Sequence, residues 1–394
     1  MSSSIYIWLT LELAFGDCYY SPSLQSKDHE RKLLFHSAIH TGIRRKAFLT
    51  CEKIVFVKSN ILYNLETALK IAGVAQAFDG LGKVAVKLHM GEYGNLHYIR
   101  PAIVRQFVDI LKNLGNSPFL FDTPTLYSGS RDTPSKYIDT ARRNGFCSEV
   151  IGCPIIISDG ASEIATKGAI GSIKVAKALC KADGILILSH GKGHPDLGFG
   201  GAIKNLAMGC VAKKTKKDLH TMSQPVLAAE CGGCGKCVDA CTKEGISLKD
   251  GKAVFNYDNC FGCGVCIQTC PVQALKPRSA SIDTLFSETF FTIVEALRPK
   301  PIFFVNVLMD ITPRCDCFPS AGKDEGFPIC SDIGLLIGTD AISIDSASID
   351  LIAKNCGDIL EKIHHVNPMR LINTLKKDAN SKGVKLIPYE LLAL

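Results

Sequence analysis

The sequence is short of several features that would place it quickly. It has one tryptophan, Trp8, in 394 residues. No apolar run reaches the ~18–20 residues that a membrane-spanning helix needs. The nearest case, residues 5–15, is interrupted by Glu12 and has no basic residue before it, which makes it a poor secretory signal. Neither charge dominates: 45 Lys and Arg against 38 Asp and Glu leave +7. That excess permits an acidic partner but does not indicate nucleic acid, and the 8% of aromatic residues are not interleaved with basic clusters. No Gly-Lys-Ser/Thr phosphate loop is present, and no flavin, nicotinamide or haem fingerprint. An extracellular disulfide scaffold is excluded as well: such chains are short and poor in apolar core, whereas this one is 42.6 kDa and 46% hydrophobic. A reducing, cytoplasmic location is the expectation, and a mean hydropathy of +0.16 argues against general disorder.

What is there begins unevenly. Residues 1–50 hold Trp8, a polar span at 21–30 and the basic Arg44-Arg45-Lys46, and read as an atypical N-terminal extension. Regular patterning starts with Ile54-Val55-Phe56-Val57. Beyond it, short apolar runs alternate with helical periodicity. Strands are expected at 83–88, 118–121, 155–157, 185–188, 301–308 and 384–388. Helices are expected at 65–78, 101–114, 136–144, 172–180, 289–297, 343–353 and 368–382. Continuous apolar strands between helices predict an α/β host domain with a mixed or parallel sheet. It is divided into 51–223 and 277–394 by a cysteine-rich insert at 224–276.

Eight of the 18 cysteines lie within that insert. Cys231-Gly-Gly-Cys234-Gly-Lys-Cys237-Val-Asp-Ala-Cys241 and Cys260-Phe-Gly-Cys263-Gly-Val-Cys266-Ile-Gln-Thr-Cys270-Pro271 are two C-x₂-C-x₂-C-x₃-C runs. Three thiolates in a tight glycine-containing loop can wrap three irons of a cubane, while inward N–H groups stabilise the sulfurs. The fourth cysteine, about one helical turn on, points away and serves the other cluster. The spacing therefore assigns one [4Fe-4S] cluster to Cys231, Cys234, Cys237 and Cys270, and a second to Cys260, Cys263, Cys266 and Cys241. Zinc knuckles are the alternative, but they use paired C-x₂-C units with a longer spacer. Phe261 and Val265 are placed to cover the second cluster. Lys236 and Lys243 either tune the first or are plain surface lysines. The block resembles a bacterial-type two-[4Fe-4S] ferredoxin domain, which implies electron transfer and a redox partner protein.

Four polar segments interrupt the apolar pattern elsewhere. Lys87, His89 and Glu92 follow an expected strand, where α/β proteins line their ligand crevice. His190 and His194, with Lys192 and Lys204, follow another; the intervening glycines and Pro195 rule out a helical zinc pair and fit an anion-binding nest or a plain loop. Cys210 ends an apolar stretch and reads as core. Cys315-Asp316-Cys317 is too tightly spaced for a zinc knuckle; a labile metal, a dithiol and simple local structure remain open.

Outside the insert the chain resembles the domain of unknown function 362 family. The resemblance rests on Lys87-x-His89-x-Gly91-Glu92-x-Gly94-Asn95 with Arg100-Pro101, on His194-Pro195 through Phe199, and on Lys204-Asn205-Leu206-Ala207-Met208-Gly209-Cys210. Asp310-x-Thr312-Pro313-x-Cys315-Asp316-Cys317, Asp332-Ile333-Gly334, Asp340 and Asp345 complete it. It covers about residues 52–376, often includes such a ferredoxin insert, and implies no settled reaction. Together these readings predict an iron-sulfur redox protein that passes electrons through two [4Fe-4S] clusters to a small-molecule, metal or cofactor site in the host domain. Lys87, His89, Glu92, His190, His194 and Lys204 are its candidate catalytic residues. A non-enzymatic electron carrier or maturation partner is the alternative, as is a metal-dependent isomerase or hydrolase with structural clusters.

Overall fold

The computed structural model describes residues 51–241, 243–318, 326–384, 386 and 388–394. The expected extension at 1–50 lies outside the described residues. Eight strands form the main sheet: β1 (Glu52–Val57), β2 (Lys83–Lys87), β3 (Ser117–Asp122), β4 (Ile155–Ile157), β5 (Gly184–His190), β6 (Ile302–Leu308), β7 (Gly334–Gly338) and β8 (Tyr389–Ala393). Their order is β8-β1-β7-β6-β5-β2-β3-β4. β7 runs antiparallel to its neighbours β1 and β6, and every other adjacent pair is parallel. The host is thus α/β with a mostly parallel, mixed central sheet.

Strand alternation sorts the core into two layers. Ile54, Phe56, Ala85, Phe119, Phe121, Ile185, Ile187 and Phe304 pack on one face with the helices Ile282–Leu297 and Ala341–Cys356. Val55, Val84, Val86, Leu120, Leu186, Leu188, Phe303 and Val305 pack on the other. There the helix Pro101–Asn113 buries Ile103, Val104, Phe107, Val108 and Leu111, each worth about 1.5–3 kcal/mol. Pro101 opens this helix at the first turn, where its missing N–H is harmless.

Three expected elements differ. The helix expected at 65–78 is two, Ile61–Ile71 and Val74–Phe78, because Gly73 takes φ 82° between them. The helix expected at 172–180 is a strand, Ser172–Ala176, and then a single turn, Lys177–Cys180. Ile173 and Val175 alternate into the core, so β-branched packing outweighs the helix-forming Ala and Lys. The last strand begins at Tyr389, beyond the expected 384–388, of which 385 and 387 are outside the described residues. The structure also joins Cys330 to Cys356 as a disulfide, a pairing with no signal in the spacing. No helix among the described residues is long and apolar enough to cross a membrane.

Residues 225–277 leave the host and return as an antiparallel pair, Pro225–Leu227 with Leu275–Pro277. Between them lie the hairpin Ile246–Lys249/Lys252–Phe255 and two short helices, Lys236–Asp239 and Val265–Gln268. The segment has its own small core of Cys237, Ile246, Ala253, Cys266 and Leu275.

Candidate functional site

The strand order dictates where a crevice opens. From β2 the chain moves outward through β3 to β4, then returns to lay β5 on the other side of β2. Connections leave in opposite directions at the C-terminal ends of β2 and β5, the position where open α/β sheets bind ligands. A cavity of about 150 Å³ lies there. Its walls include Lys87 and His89 from the end of β2, Asp122 from β3, Ser189 and His190 from β5, and Lys204 and Asn205 from the helix Ala202–Ala207. Cys315, Asp316 and Cys317, from the loop after β6, complete the same cavity.

Lys87 is buried and bridges Asp122 Oδ1 at 2.9 Å and Asn205 Oδ1 at 2.7 Å. Gly209 lets it do so: a Cβ there would stand 2.5 Å from Lys87 Nζ. Burial alone would raise the Asp122 carboxyl, but the charges of Lys87, His89 and Lys216 hold it below the usual range. Asn205 is fixed in turn by donating to Leu188 O and Ser189 Oγ, both at 3.0 Å. His89 accepts from Gly91 N–H at Nδ1 (3.0 Å). Its Nε2 faces Cys317 Sγ at 3.5 Å and Arg131 Nη1, which can only donate, at 2.7 Å.

Lys204 Nζ donates to Cys315 Sγ at 3.1 Å and stands 3.9 Å from Cys317 Sγ. Burial would lower its pKa, but the two sulfurs raise it above the ordinary value. Asp316, between those cysteines in sequence, turns away to pair with Lys192 at 2.8 Å and His190 Nδ1 at 3.1 Å. Burial would raise Asp316, and its His190 and Lys192 neighbours hold it well below the usual carboxylate range. His190 Nε2 meets Met309 O at 2.6 Å, so both of its ring nitrogens are engaged by acceptors.

Of the six candidate catalytic residues, Lys87, His89, His190 and Lys204 therefore line one cavity. Glu92 and His194 do not line it. Glu92 receives Arg131 Nε at 3.0 Å and holds that guanidinium against His89. His194 is buried, accepts from Asp196 N–H and Leu197 N–H at 3.2 Å, and is pushed well below its ordinary pKa by burial and then by Lys204. The sequence reading missed Asp122, Arg131 and Lys216, all of which face the cavity. Asp122 was accessible to the rule about strand ends that selected Lys87. Arg131 carries no local signal. Lys216 sits in a Lys-rich run that reads as a solvated face, yet the phase of the helix Lys213–Ser223 buries Thr215, Lys216 and Leu219.

The cysteine-rich segment repeats itself every 29 residues in structure as well as in sequence. Gly233 and Gly262, Gly235 and Gly264, and Glu244 and Gln273 share positive φ in pairs. Gly245 N–H donates to Cys241 Sγ at 3.3 Å, and Ala274 N–H to Cys270 Sγ at 3.2 Å. Cys231, Cys234, Cys237 and Cys270 line one small apolar cavity of about 20 Å³. Cys263 and Cys266 are pushed up to about 12 by burial first and by neighbours that include Cys260 and Cys241. Among the described residues, no three His, Cys, Asp or Glu side chains converge to hold a single metal ion. The segment abuts the host cavity: Phe261, from the second cysteine loop, lines it, and His220 Nδ1 meets Phe261 O at 2.6 Å.

The family described as domain of unknown function (DUF362) matches residues 84–350, and the chain belongs to it. No curated protein matches the chain. Among solved structures it is similar to the lactate racemase apoprotein from Thermoanaerobacterium thermosaccharolyticum, at 12% identity and a TM-score of 0.35, over 73% of this chain and 54% of that one. It is also similar to a protein from Thermotoga maritima, at 10% identity and a TM-score of 0.40, over 76% of this chain and 59% of that one. The chain thus spans less than two thirds of either.

Proposed function

We propose that this family member is an iron-sulfur redox protein whose duplicated cysteine segment serves the host cavity. Cys231, Cys234, Cys237 and Cys270 would hold one [4Fe-4S] cluster, and Cys260, Cys263, Cys266 and Cys241 the other. The donor set fits: the first four sulfurs share one small apolar cavity, and the glycine turns that bend each loop recur in both halves. Such clusters supply one-electron transfer.

The observation that carries the reading is Phe261. It belongs to the second cysteine loop and is also wall of the cavity that holds Cys315, Cys317, Lys204 and His89. The chain's own residues then have distinct tasks. Lys204 and Lys216 attract an anionic group of a small molecule. His89 sets its Nε2 beside Cys317, Arg131 fixes that ring, and Glu92 fixes Arg131. A concave cavity lined by convergent polar side chains favours a small-molecule site over a docking face for a carrier.

Anaerobic purification followed by iron, sulfide and paramagnetic resonance measurements tests this. About eight irons per chain in two coupled, reducible clusters are expected. Stoichiometric zinc with no iron would end the proposal.

A further inference from the structure

Cys315 and Cys317 are not part of the duplicated block, and electron transfer gives them no task. Their surroundings do. Lys204 Nζ stands 3.1 Å from Cys315 Sγ and 3.9 Å from Cys317 Sγ, and His89 Nε2 approaches Cys317 Sγ to 3.5 Å. The backbone is fixed beside them, since Tyr127 OH donates to Cys317 O at 2.9 Å and is itself bound by Arg131 at 2.8 Å. A hydrogen bond from the Cys315 thiol, then Lys204 and His89, hold Cys317 well below the ordinary thiol pKa despite burial. The same bond, with burial, holds Cys315 well above it. Lys204 faces both sulfurs and His89 faces Cys317 alone, so Cys317 is the sulfur of the pair best placed to be the thiolate, with Cys315 keeping the proton.

The cavity is also lopsided in charge. Lys87, Arg131, Lys204 and Lys216 line it, against the carboxylates Asp122 and Asp316. Asp122 is already bound by Lys87, and Asp316 by Lys192 and His190. Arg131 is bound by Glu92 behind the wall, so a small anion entering here meets Lys204 and Lys216, for which no carboxylate ion pair forms among the described residues.

We propose that Cys317 is the covalent nucleophile of this cavity, and that its substrate is a small carboxylate bearing a soft electrophilic carbon, such as an α,β-unsaturated acid. The proposal rests on the cavity being the reactive site, as above, and not on the clusters. In the addition, a sulfur electron pair of Cys317 forms the S–C bond and the C=C π bond breaks. The released pair on the neighbouring carbon takes the Cys315 proton. Cys315 becomes the thiolate, opposite Lys204 at 3.1 Å. No oxidant or reductant is consumed, and the reverse step returns the proton to Cys315. Thiolates rather than thiols are nucleophiles, so this division of one proton between two sulfurs is what the reaction requires.

Alkylation of the full chain tests the proposal without knowledge of the natural substrate. The protein, kept anaerobic, is exposed briefly to iodoacetate or to iodoacetamide at pH 7, and each cysteine is quantified by peptide mass spectrometry. Cys317 should react about tenfold or more faster than Cys210, which is buried and pushed up to about 12. At Cys317 the acid should outpace the amide, whereas an ordinary thiol prefers the neutral reagent. Lys204→Met should lower the rate at Cys317 and reverse the preference. Labelling of Cys317 no faster than Cys210, or amide faster than acid in the unaltered protein, would overturn the proposal. Iron and sulfide are measured on the same samples. A chain that lacks iron but reacts at Cys317 defeats only the redox reading; a chain with full iron and an inert Cys317 defeats only this one.

Discussion

The insert and the host cavity use the same atom, the cysteine sulfur, in opposite settings. In the insert the cysteines of each run lie three or four residues apart, and the same turns recur 29 residues on. Its core is small, and two of its five members are themselves cysteines, Cys237 and Cys266. In the host, Cys317 meets His89 across 228 positions of sequence and Lys87 meets Asn205 across 118. There the sulfurs rest on a sheet buried on both faces. On the proposed reading, a site made by local repetition gains its stability from what its sulfurs would bind. A site made at strand ends inherits the stability of the sheet beneath it.

The largest expected effect separates the two. A segment of this length with so small a core is below the size that usually folds unaided. Removing iron from the anaerobic full chain with a chelator should unfold residues 224–276 and leave the sheet intact. Hydrogen exchange by peptide should show complete loss of protection in the insert and unchanged protection in β2, β5 and β6. Simultaneous loss in both would mean that the host does not stand on its own.

Next is a buried charge in the host. Asp316 offsets Lys192, which is fully buried, and His190. Asp316→Asn leaves that ammonium group without its counter-charge and should destabilise the host by about 3–5 kcal/mol in urea unfolding. The depressed Asp316 pKa works in the same direction. Its stabilisation is present above the ordinary carboxylate pKa and is lost as pH falls below it. Iron content should be unaffected.

The same contrast explains what could be read from sequence. The apolar runs of β1, β2 and β5 are local, so the sheet class was legible, as was the doubled cysteine spacing. Lys87, His89, His190 and Lys204 were selected because polar residues follow apolar strands, a rule that needs no partner. Arg131 and Lys216 were not, since what makes them matter is supplied by Glu92, Tyr127 and Thr123 from other segments. The Cys330–Cys356 disulfide was illegible for the same reason. Two cysteines 26 residues apart are brought together only when a helix packs back on the sheet. The strand at Ser172–Ala176 failed differently: its Ala and Lys favour helix, and its pairing with Ala161–Ala165 together with burial of Ile173 and Val175 decides otherwise.

Lys216 provides a pH-dependent effect of intermediate size. Burial first, against the attraction of Asp122, lowers its pKa to about 8. Below that value the cavity has one more positive charge than above it. The preference of Cys317 for iodoacetate over iodoacetamide should therefore fall several-fold as pH rises through about 8, and Lys216→Met should flatten that change. Stability moves the other way. The unfolded chain holds this proton up to about 10.4, so the folded state gains from this group as pH rises from about 8 toward that value. A preference that stays constant with pH in the unaltered protein would remove Lys216 from the anion's surroundings.

The smallest expected effect is at the seam. Phe261 is about a third exposed, at 37%, and its ring lies 5.5 Å from Lys243 Nζ and edge-on to His220. Phe261→Ala retains the backbone carbonyl that His220 meets, so the loop keeps its anchor. The ring's exposure limits the loss to about 1 kcal/mol or less. Because the ring is wall to the host cavity, its removal should open Cys317 to both alkylating reagents while iron and sulfide stay at wild-type amounts. The opposite result, iron lost with Cys317 reactivity unchanged, would assign the ring to the insert as a cluster cover. The two regions would then meet without sharing a functional residue, and the route proposed between them would lose the shared wall on which it rests.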